Sequence, residues 1–151
     1  MIPRSPIQAK GMLLSAIRSK DPVIFLEPKS LYWIAEEEVP EEDYEIPIGK
    51  AQILWQGTHL TIISYGSQLW QVKLAVKQAE EKGIDCEIID LRTILPWDTE
   101  TVFESVKRTG RCLITHEAQI TNGFGAELSA KIQENCFLHL EAPIKWVCGL
   151  D

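Results

Sequence analysis

Two hydrophobic patterns alternate along the last two thirds of the chain. Short runs rich in isoleucine, leucine and valine predict buried strands, and the segments between them carry apolar residues at helical spacing. The predicted strands span 52–56, 60–66, 86–92, 112–117 and 144–149, and the predicted helices span 67–83, 98–110 and 123–136. The first two strands flank a turn at Gly57. This alternation predicts an α/β fold with a mostly parallel sheet and helices on both faces.

The first third of the chain follows a different pattern. Apolar positions at helical spacing predict a helix over 5–19, with Ser5 as its N-cap. Residues 21–28 form a short apolar run between prolines, which predicts a buried strand. Residues 30–48 contain two prolines and seven acidic residues without a consistent period, which predicts an extended, solvated connector. The change of composition predicts a domain boundary between residues 1–47 and 48–151.

The composition argues against several classes of partner. Fifteen lysines and arginines face 22 aspartates and glutamates, and the net charge of −7 is the opposite of what a nucleic-acid-binding surface needs. No run approaches the roughly 20 apolar residues of a membrane-spanning helix. The opening MIPRSP shows no targeting segment. We therefore expect neither a nucleic-acid partner nor a membrane partner.

The cysteines predict structural thiols. Their spacing fits neither a zinc motif nor a dense disulfide framework. Three of the four lie in apolar, strand-like runs, where cysteine behaves as a small hydrophobic residue. We expect all four to be reduced, as in a reducing compartment; they are Cys86, Cys112, Cys136 and Cys148.

Polar residues follow the predicted strands at the edge where parallel sheets bind ligands. Tyr65–Ser67, Asp90–Thr93 and His116–Glu117 lie at three strand ends, and Asn122–Gly125 precedes a helix. The glycines either expose backbone N–H groups to an anion or let the helix pack close to the sheet. The packing interpretation is favoured, because no phosphate-binding motif is present.

The histidines predict no proton-transfer or metal site. His116 and Glu117 are adjacent on a strand and point to opposite faces, so we expect His116 to be a polar cap on the following loop. His59 and His139 have no evident partner, and the three histidines lack metal-ligand spacing. The residues alone therefore predict no catalytic residue and no cofactor-binding residue.

Two residues of the string DLRTILPWD are predicted to have structural roles. Asp98 stands where the N-cap of the helix over 98–110 is needed. Arg92 follows a buried strand, and we expect it to pair with a carboxylate of a neighbouring subunit.

Several strings, taken in order, resemble one enzyme family. PVIFLEPKSLYW, EEVPEEDY, EIIDLRTILPWD, THEAQITNGFGAE and CFLHLEAPIKWVCGLD resemble the beta subunit of branched-chain 2-oxoacid dehydrogenases. The resemblance covers essentially all 151 residues. IPIGKA and QGTH are closer to the pyruvate dehydrogenase beta subunit, which stays as an alternative.

The resemblance implies a fold and an enzyme component. Residues 1–47 are expected to be the tail of a pyrimidine-binding domain, and residues 48–151 a transketolase C-terminal domain. The reaction is oxidative decarboxylation of branched-chain 2-oxoacids with thiamine diphosphate and Mg²⁺, which the alpha subunit holds. The glutamate and the histidine that this family uses on the cofactor match no residue of this chain. We therefore expect a C-terminal fragment without activity of its own.

The resemblance also implies partners and two sites. An alpha2–beta2 heterotetramer is expected to transfer acyl groups to a lipoyl acyltransferase core, in the mitochondrial matrix of a eukaryote or the cytoplasm of a bacterium. Backbone carbonyls of Ala16, Ser19 and Asp21 match the positions that bind a structural K⁺. Glu141 matches an acidic residue that, in the related pyruvate dehydrogenase beta subunit, faces the basic binding domain of the acyltransferase core. The alternative from another class is a non-catalytic α/β interaction module.

Overall fold

A five-stranded sheet with helices on both faces forms the centre of the molecule, whose computed structural model describes residues 1–151. The strands are β1 (Gln52–Trp55), β2 (Leu60–Ser64), β3 (Cys86–Asp90), β4 (Cys112–Gln119) and β5 (Lys145–Gly149). The α-helices are α1 (Pro6–Arg18), α2 (Gln68–Glu80), α3 (Thr99–Thr109) and α4 (Phe124–Cys136), and short 3-10 helices span Lys29–Trp33 and Phe137–His139. The α/β architecture predicted from the hydrophobic pattern is confirmed.

The strand order is β1-β3-β2-β4-β5, in which β2 to β5 run parallel and β1 pairs antiparallel with β3. β3 therefore separates the two strands that flank the Gly57 turn. Gly57 is required there for space, because a Cβ atom would lie 2.2 Å from the carbonyl carbon of Cys86.

Neighbouring residues of the central strands supply two apolar layers. Ile62 of β2 and Ile88 of β3 face α2, whereas Ile63 and Ile89 face the side of α3 and α4. This arrangement follows from the two-residue period of a strand, and it explains why these strands carry apolar residues on both faces.

A polar layer fastens α3 to the sheet. The Arg108 guanidinium binds both carboxylate oxygens of Glu87 in β3, at 2.6 and 2.7 Å, and donates to the carbonyl of Gly57. The Thr61 hydroxyl lies 2.6 Å from that of Ser105 and 2.8 Å from that of Thr109. The Glu87 carboxylate and the three hydroxyls are buried with hydrogen-bond partners, so they cost little and fix the position of the helix.

The strand predicted over 21–28 is wrong. The segment forms no strand, and the middle of its backbone pairs only with Met1, whose amino group donates to the Ile24 carbonyl and whose carbonyl accepts from Leu26. A strand needs a partner along its length, which one residue does not provide. Ile24 is 77% exposed, in contrast to the burial that was expected.

Ser5 occupies the predicted N-cap position of α1, but its side chain makes no capping hydrogen bond to the helix. The Ile7 N–H instead donates to the Glu37 carboxylate at 3.0 Å, so a residue of the connector caps the helix. A carboxylate at this position is also favoured by the positive end of the helix dipole.

The predicted connector over 30–48 is largely exposed, and side chains of α1 bind it. Lys10 donates to three of its backbone carbonyls, and Arg18 binds Asp43 at 2.7 Å and Glu45 at 2.6 Å. The Tyr44 hydroxyl donates to the Ile7 carbonyl. The acidic segment thus follows α1 because the helix presents cations to it.

The predicted cap at Asp98 is confirmed. Its carboxylate accepts the Thr101 N–H at 3.2 Å and also the N–H of Ala51, which precedes β1, at 3.0 Å. Burial raises the pKa of Asp98, but the hydrogen bonds from Ala51 and Thr101 outweigh it and place the pKa below its usual value. Asp98 therefore joins the start of α3 to the start of β1.

Replacing Asp98 by alanine is expected to lower the free energy of unfolding by about 1–2 kcal/mol, because two backbone N–H groups lose their acceptor. The lowered pKa means that this stability is present above the unfolded value of about 3.9 and is lost as the pH falls through the folded pKa. Urea unfolding of Asp98→Ala between acid and neutral pH measures both effects. Glu100→Ala, an exposed carboxylate in the same helical turn, is the control. Equal stability of the two variants would contradict the cap.

Candidate functional site

The carboxyl ends of β2, β3 and β4 gather two polar clusters at one edge of the sheet. The first surrounds Asp90, which ends β3 and is fully buried. Its Oδ2 atom lies 2.8 Å from Nε2 of Gln8 and 3.1 Å from Nε of Arg4, and its Oδ1 atom accepts the Arg92 N–H at 3.0 Å. Gln52 of β1 accepts from Gln8, Arg4 and Arg92. The cluster thus joins the N-terminal segment to the sheet.

The polar cluster around Asp90 stabilises the fold. Burial raises the pKa of the Asp90 carboxyl, against the opposing effect of the hydrogen bond from Gln8 and of the Arg4 and Arg92 cations. Arg92 has a left-handed backbone with φ of 58°, which aims its N–H at Asp90. Its guanidinium binds Gln52 of the same chain, so the structure gives Arg92 an internal partner. The Asp90 carboxylate accepts hydrogen bonds from Gln8 and Arg92 and pairs with the Arg4 cation, all of its own chain.

The second cluster surrounds His116, which is buried in β4. The Gly125 N–H, at the start of α4, donates to Nε2 at 3.0 Å. Nε2 is therefore the unprotonated nitrogen, and Nδ1–H donates to the Ala118 carbonyl at 3.0 Å. The Tyr65 ring stacks on the imidazole at a centroid distance of 6.0 Å. His116 is thus a buried link between β4 and α4, and its predicted role as a loop cap is wrong.

Cys148 of β5 lies beside this imidazole without forming a catalytic pair. Its Sγ atom is 3.4 Å from Nε2 of His116, which already accepts the Gly125 N–H. Burial raises the pKa of the Cys148 thiol, although the contact with His116 acts in the opposite direction. A nucleophilic thiol needs the reverse, a lowered pKa and a free base.

The other cysteines confirm the prediction of structural thiols. All four cysteines are free, and Cys112 and Cys136 belong to the apolar core. Burial raises the pKa of Cys112 to about 12.

The glycines before α4 serve packing. A Cβ atom on Gly125 would lie 2.7 Å from Nε2 of His116, and one on Gly123 would lie 2.2 Å from the Gln119 carbonyl oxygen. The Gly125 N–H is used by His116 and is not offered to an anion. The structure therefore supports the packing interpretation of these glycines.

The three residues with the predicted K⁺ ligands lie at the end of α1. The Ser19 N–H closes the helix on Ser15, and the Asp21 N–H donates to the Ser19 hydroxyl. The carbonyls of Ala16, Ser19 and Asp21 accept none of the loop or side-chain hydrogen bonds of the molecule. They lie where the negative end of the helix dipole favours a cation.

Glu141 stands at the rim, after the second 3-10 helix. Its N–H donates to the Gly110 carbonyl, and its carboxylate lies 2.6 Å from the Arg111 guanidinium. The side chain is 59% exposed and the pair is open to solvent. Glu141 is thus accessible to a partner, which would compete with Arg111 for it.

The structure places the two remaining histidines differently. His59 has a partner, because its Nδ1 atom accepts the Asp85 N–H at 3.0 Å, whereas His139 lies exposed in a 3-10 helix.

No group of three or more histidine, cysteine, aspartate or glutamate side chains is arranged to hold a metal ion. None of the helices is both long and apolar enough to span a membrane.

Comparisons with known proteins agree with this geometry. The family model described as "Transketolase, C-terminal domain" matches residues 49–151. The mitochondrial 2-oxoisovalerate dehydrogenase subunit beta of Dictyostelium discoideum is 63% identical over 152 residues, which cover 100% of this chain and 41% of that protein. Subunit beta 2 of the same enzyme from Arabidopsis thaliana is 55% identical over 151 residues, covering 100% and 42%. The resemblance to branched-chain beta subunits is confirmed.

A second enzyme and one solved structure complete the comparison. The pyruvate dehydrogenase E1 component subunit beta of Acholeplasma laidlawii is 50% identical over 150 residues, covering 99% of this chain and 46% of that protein. The chain therefore spans less than half the length of these relatives. A split gene transketolase, solved as an inactive beta4 tetramer, superposes with a TM-score of 0.78 at 24% identity, over 99% of this chain and 47% of that one. This likeness shows the fold.

Replacing His116 by leucine is expected to lower the free energy of unfolding by about 2 kcal/mol, because the Gly125 N–H and the Ala118 carbonyl lose their partner inside the protein. His59→Leu is the matched control, since it also removes an acceptor from a backbone N–H but at an exposed position. Urea unfolding measures the stability, and hydrogen exchange at the Gly125 amide reports the local effect. A His116→Leu variant as stable as His59→Leu, with unchanged exchange, would refute the link.

Proposed function

The chain belongs to the transketolase C-terminal domain family, and we propose that it forms the C-terminal part of the beta subunit of a branched-chain 2-oxoacid dehydrogenase. One observation supports this most strongly, namely that its similarity to 2-oxoisovalerate dehydrogenase beta subunits extends over the whole chain. The complete component decarboxylates branched-chain 2-oxoacids and transfers the acyl group to lipoyl groups. The mitochondrial relatives favour the mitochondrial matrix as its location.

The residues of this chain support an assembly role rather than a catalytic one. Thiamine diphosphate supplies the electron sink that decarboxylation of a 2-oxoacid requires. Two of the buried carboxylates, Asp90 and Glu87, are paired with arginines, and no cluster fits Mg²⁺. At the strand ends, the backbone N–H groups of Arg92 and Gly125 donate to side chains of this chain, whereas the Ser64 hydroxyl has no hydrogen-bond partner. We therefore place the cofactor and its Mg²⁺ on other parts of an alpha2–beta2 heterotetramer, and assign subunit contacts to this chain.

Two further sites belong to this proposal. The carbonyls of Ala16, Ser19 and Asp21 supply hard oxygen ligands at a helix end, which suit a structural K⁺. Glu141 supplies an exposed carboxylate at the rim, and we assign it to docking of the lipoyl acyltransferase core through a basic surface of that partner.

A second candidate function is the same role in pyruvate dehydrogenase. The 50% identity to a pyruvate dehydrogenase beta subunit favours it, at a lower level than the 63% and 55% of the branched-chain relatives. The two functions share the fold and the assembly, and they differ in the 2-oxoacid.

The activity is tested in a complete beta subunit that carries this sequence as its C-terminal part, assembled with its alpha subunit. We expect faster decarboxylation of 2-oxoisovalerate than of pyruvate, and no decarboxylation by the 151-residue chain alone. Comparable concentrations of the two substrates, with saturating thiamine diphosphate and Mg²⁺, give the ratio of kcat/KM. A preference for pyruvate would establish the second candidate, and turnover by the chain alone would overturn the assembly role.

Replacing Glu141 by lysine in the same assembly is expected to weaken binding to the acyltransferase core, because a carboxylate at a basic surface becomes a repelling cation. The loss is on the order of 2–5 kcal/mol if the contact is desolvated, and decarboxylation by the free tetramer should persist. Glu134→Lys is the control, since Glu134 is also an exposed glutamate in a surface ion pair. Binding titrations at low and high salt measure the effect. Unchanged affinity at low salt would exclude Glu141 from docking.

A further inference from the structure

Two arginine side chains meet a single carboxylate where the N-terminal segment joins the sheet. The Nη2 atoms of Arg4 and Arg92 both donate to Oε1 of Gln52, the first residue of β1. Nε of Arg4 lies 3.1 Å from Oδ2 of Asp90, and the Arg92 N–H donates to Oδ1 of the same carboxylate. We call these four residues the Asp90 cluster, in which the two guanidiniums share the same acceptors.

The charges of the Asp90 cluster do not balance. Arg4 and Arg92 supply two positive charges, Asp90 supplies one negative charge, and the amide of Gln52 is neutral. Burial lowers the pKa of Arg92, and of its two charged neighbours Asp90 opposes this effect and Arg4 adds to it. Like charges brought together out of water repel each other strongly. One positive charge of the cluster is thus left without a counter-charge.

The same region contains donors that are buried without a hydrogen-bond partner. They are the Nε–H groups of Arg4 and Arg92 and the hydroxyl of Ser64. The Nε atom of Arg4 forms an ion pair with Asp90 but no hydrogen bond. A buried charged donor without an acceptor is strongly unfavourable, and in native proteins it indicates a bound ion or water molecule.

Ser64 lies in the same polar layer as the cluster. It ends β2, pairs in register with Asp90 and is 1% exposed. Ile62, two residues earlier, faces α2, and the two-residue period of a strand places Ser64 on the same face. Arg4 and Gln52 line a groove of about 520 Å³ between β1 and α2, which connects the cluster to solvent. A small ion can therefore reach the cluster.

We propose that a monovalent inorganic anion of the size of chloride binds between the guanidiniums of Arg4 and Arg92 and accepts their unpaired Nε–H groups. One negative charge balances the cluster, and guanidinium donors form strong, charge-assisted hydrogen bonds to anions. A water molecule would accept the same donors but would leave the charge unbalanced. This site lies outside the proposed K⁺ and docking sites and does not depend on the enzymatic function proposed above.

The bound anion would strengthen the attachment of α1 to the sheet. Arg4 precedes α1, whereas Arg92 follows β3, so an anion between them joins the two parts of the chain. It would act beside Gln8, whose amide donates to Asp90 across the same boundary.

Thermal unfolding of the 151-residue chain tests the site, with sodium gluconate replaced stepwise by sodium chloride at constant pH and ionic strength. Sodium is the cation throughout, so the proposed K⁺ site does not contribute. Gluconate is too large to lie between two buried groups. The melting temperature is expected to rise saturably, by about 3–6 °C at ten times the dissociation constant of chloride, because the folded chain alone binds the anion.

Gln52→Glu separates this site from other effects of chloride. The new carboxylate would lie against both guanidiniums and supply the missing negative charge, so the variant should no longer respond to chloride. In gluconate it should melt at a higher temperature than the unchanged chain. Gln56→Glu is the matched control, since it makes the same change at an exposed position just after β1, and it should keep the full chloride response.

Anomalous scattering from a crystal grown in sodium bromide locates the anion directly. A bromide peak is expected between Arg4 and Arg92. A melting temperature indifferent to chloride would show that water fills the position and would overturn the proposal. A chloride response that Gln52→Glu retains, or bromide bound only elsewhere, would overturn it as well.

Discussion

The buried carboxylate of Asp90 is the constraint on which the arrangement of the two parts of the chain depends. A carboxylate without partners inside a protein is unfavourable by several kcal/mol. The groups that pair with Asp90 must therefore stay beside it in the folded chain. From the N-terminal segment, the Gln8 amide donates a hydrogen bond to Asp90 and the Arg4 guanidinium forms an ion pair with it. The Arg92 N–H donates the second hydrogen bond. The segment before the sheet therefore cannot detach without removing the side-chain partners of Asp90.

The same constraint determines the outer surface. Because Asp90 holds the start of α1 at the strand end, the Ile7 N–H is available to Glu37 and the Arg4 carbonyl to Trp70. The acidic connector is positioned by this helix and by its cations Lys10 and Arg18. An interior ion pair thus decides where exposed acidic and basic groups lie next to each other.

The hydrophobic pattern was sufficient for the α/β domain but not for the segment before it. The central strands carry apolar residues on both faces, and α3 has local caps at Asp98 and Gly110, so the local sequence predicts these elements. The cap of α1 comes from Glu37, thirty residues along the chain from Ile7, and no local signal announces it. Residues 21–28 have the composition of a strand but lack a neighbouring strand. The role of His116 depends on Gly125, which only the packing of α4 on β4 brings near.

The use of polar groups at the strand ends connects the structure to the proposed function. In open α/β sheets this edge is where ligands bind, and a binding or catalytic edge keeps some donors and acceptors unpaired for that ligand. Here Asp90 and His116 are both bound by groups of their own chain, and the cysteine beside His116 has a raised thiol pKa. The Ser64 hydroxyl at the end of β2 and the Nε atoms of Arg4 and Arg92 are buried at this edge without a hydrogen-bond partner. The carboxylate and the imidazole of this edge therefore serve cohesion, whereas these three polar groups stay unpaired. A domain built in this way contributes to an enzyme by holding its parts together, and its exposed, incompletely paired groups lie on the outer face of α2, on the acidic connector and at the rim.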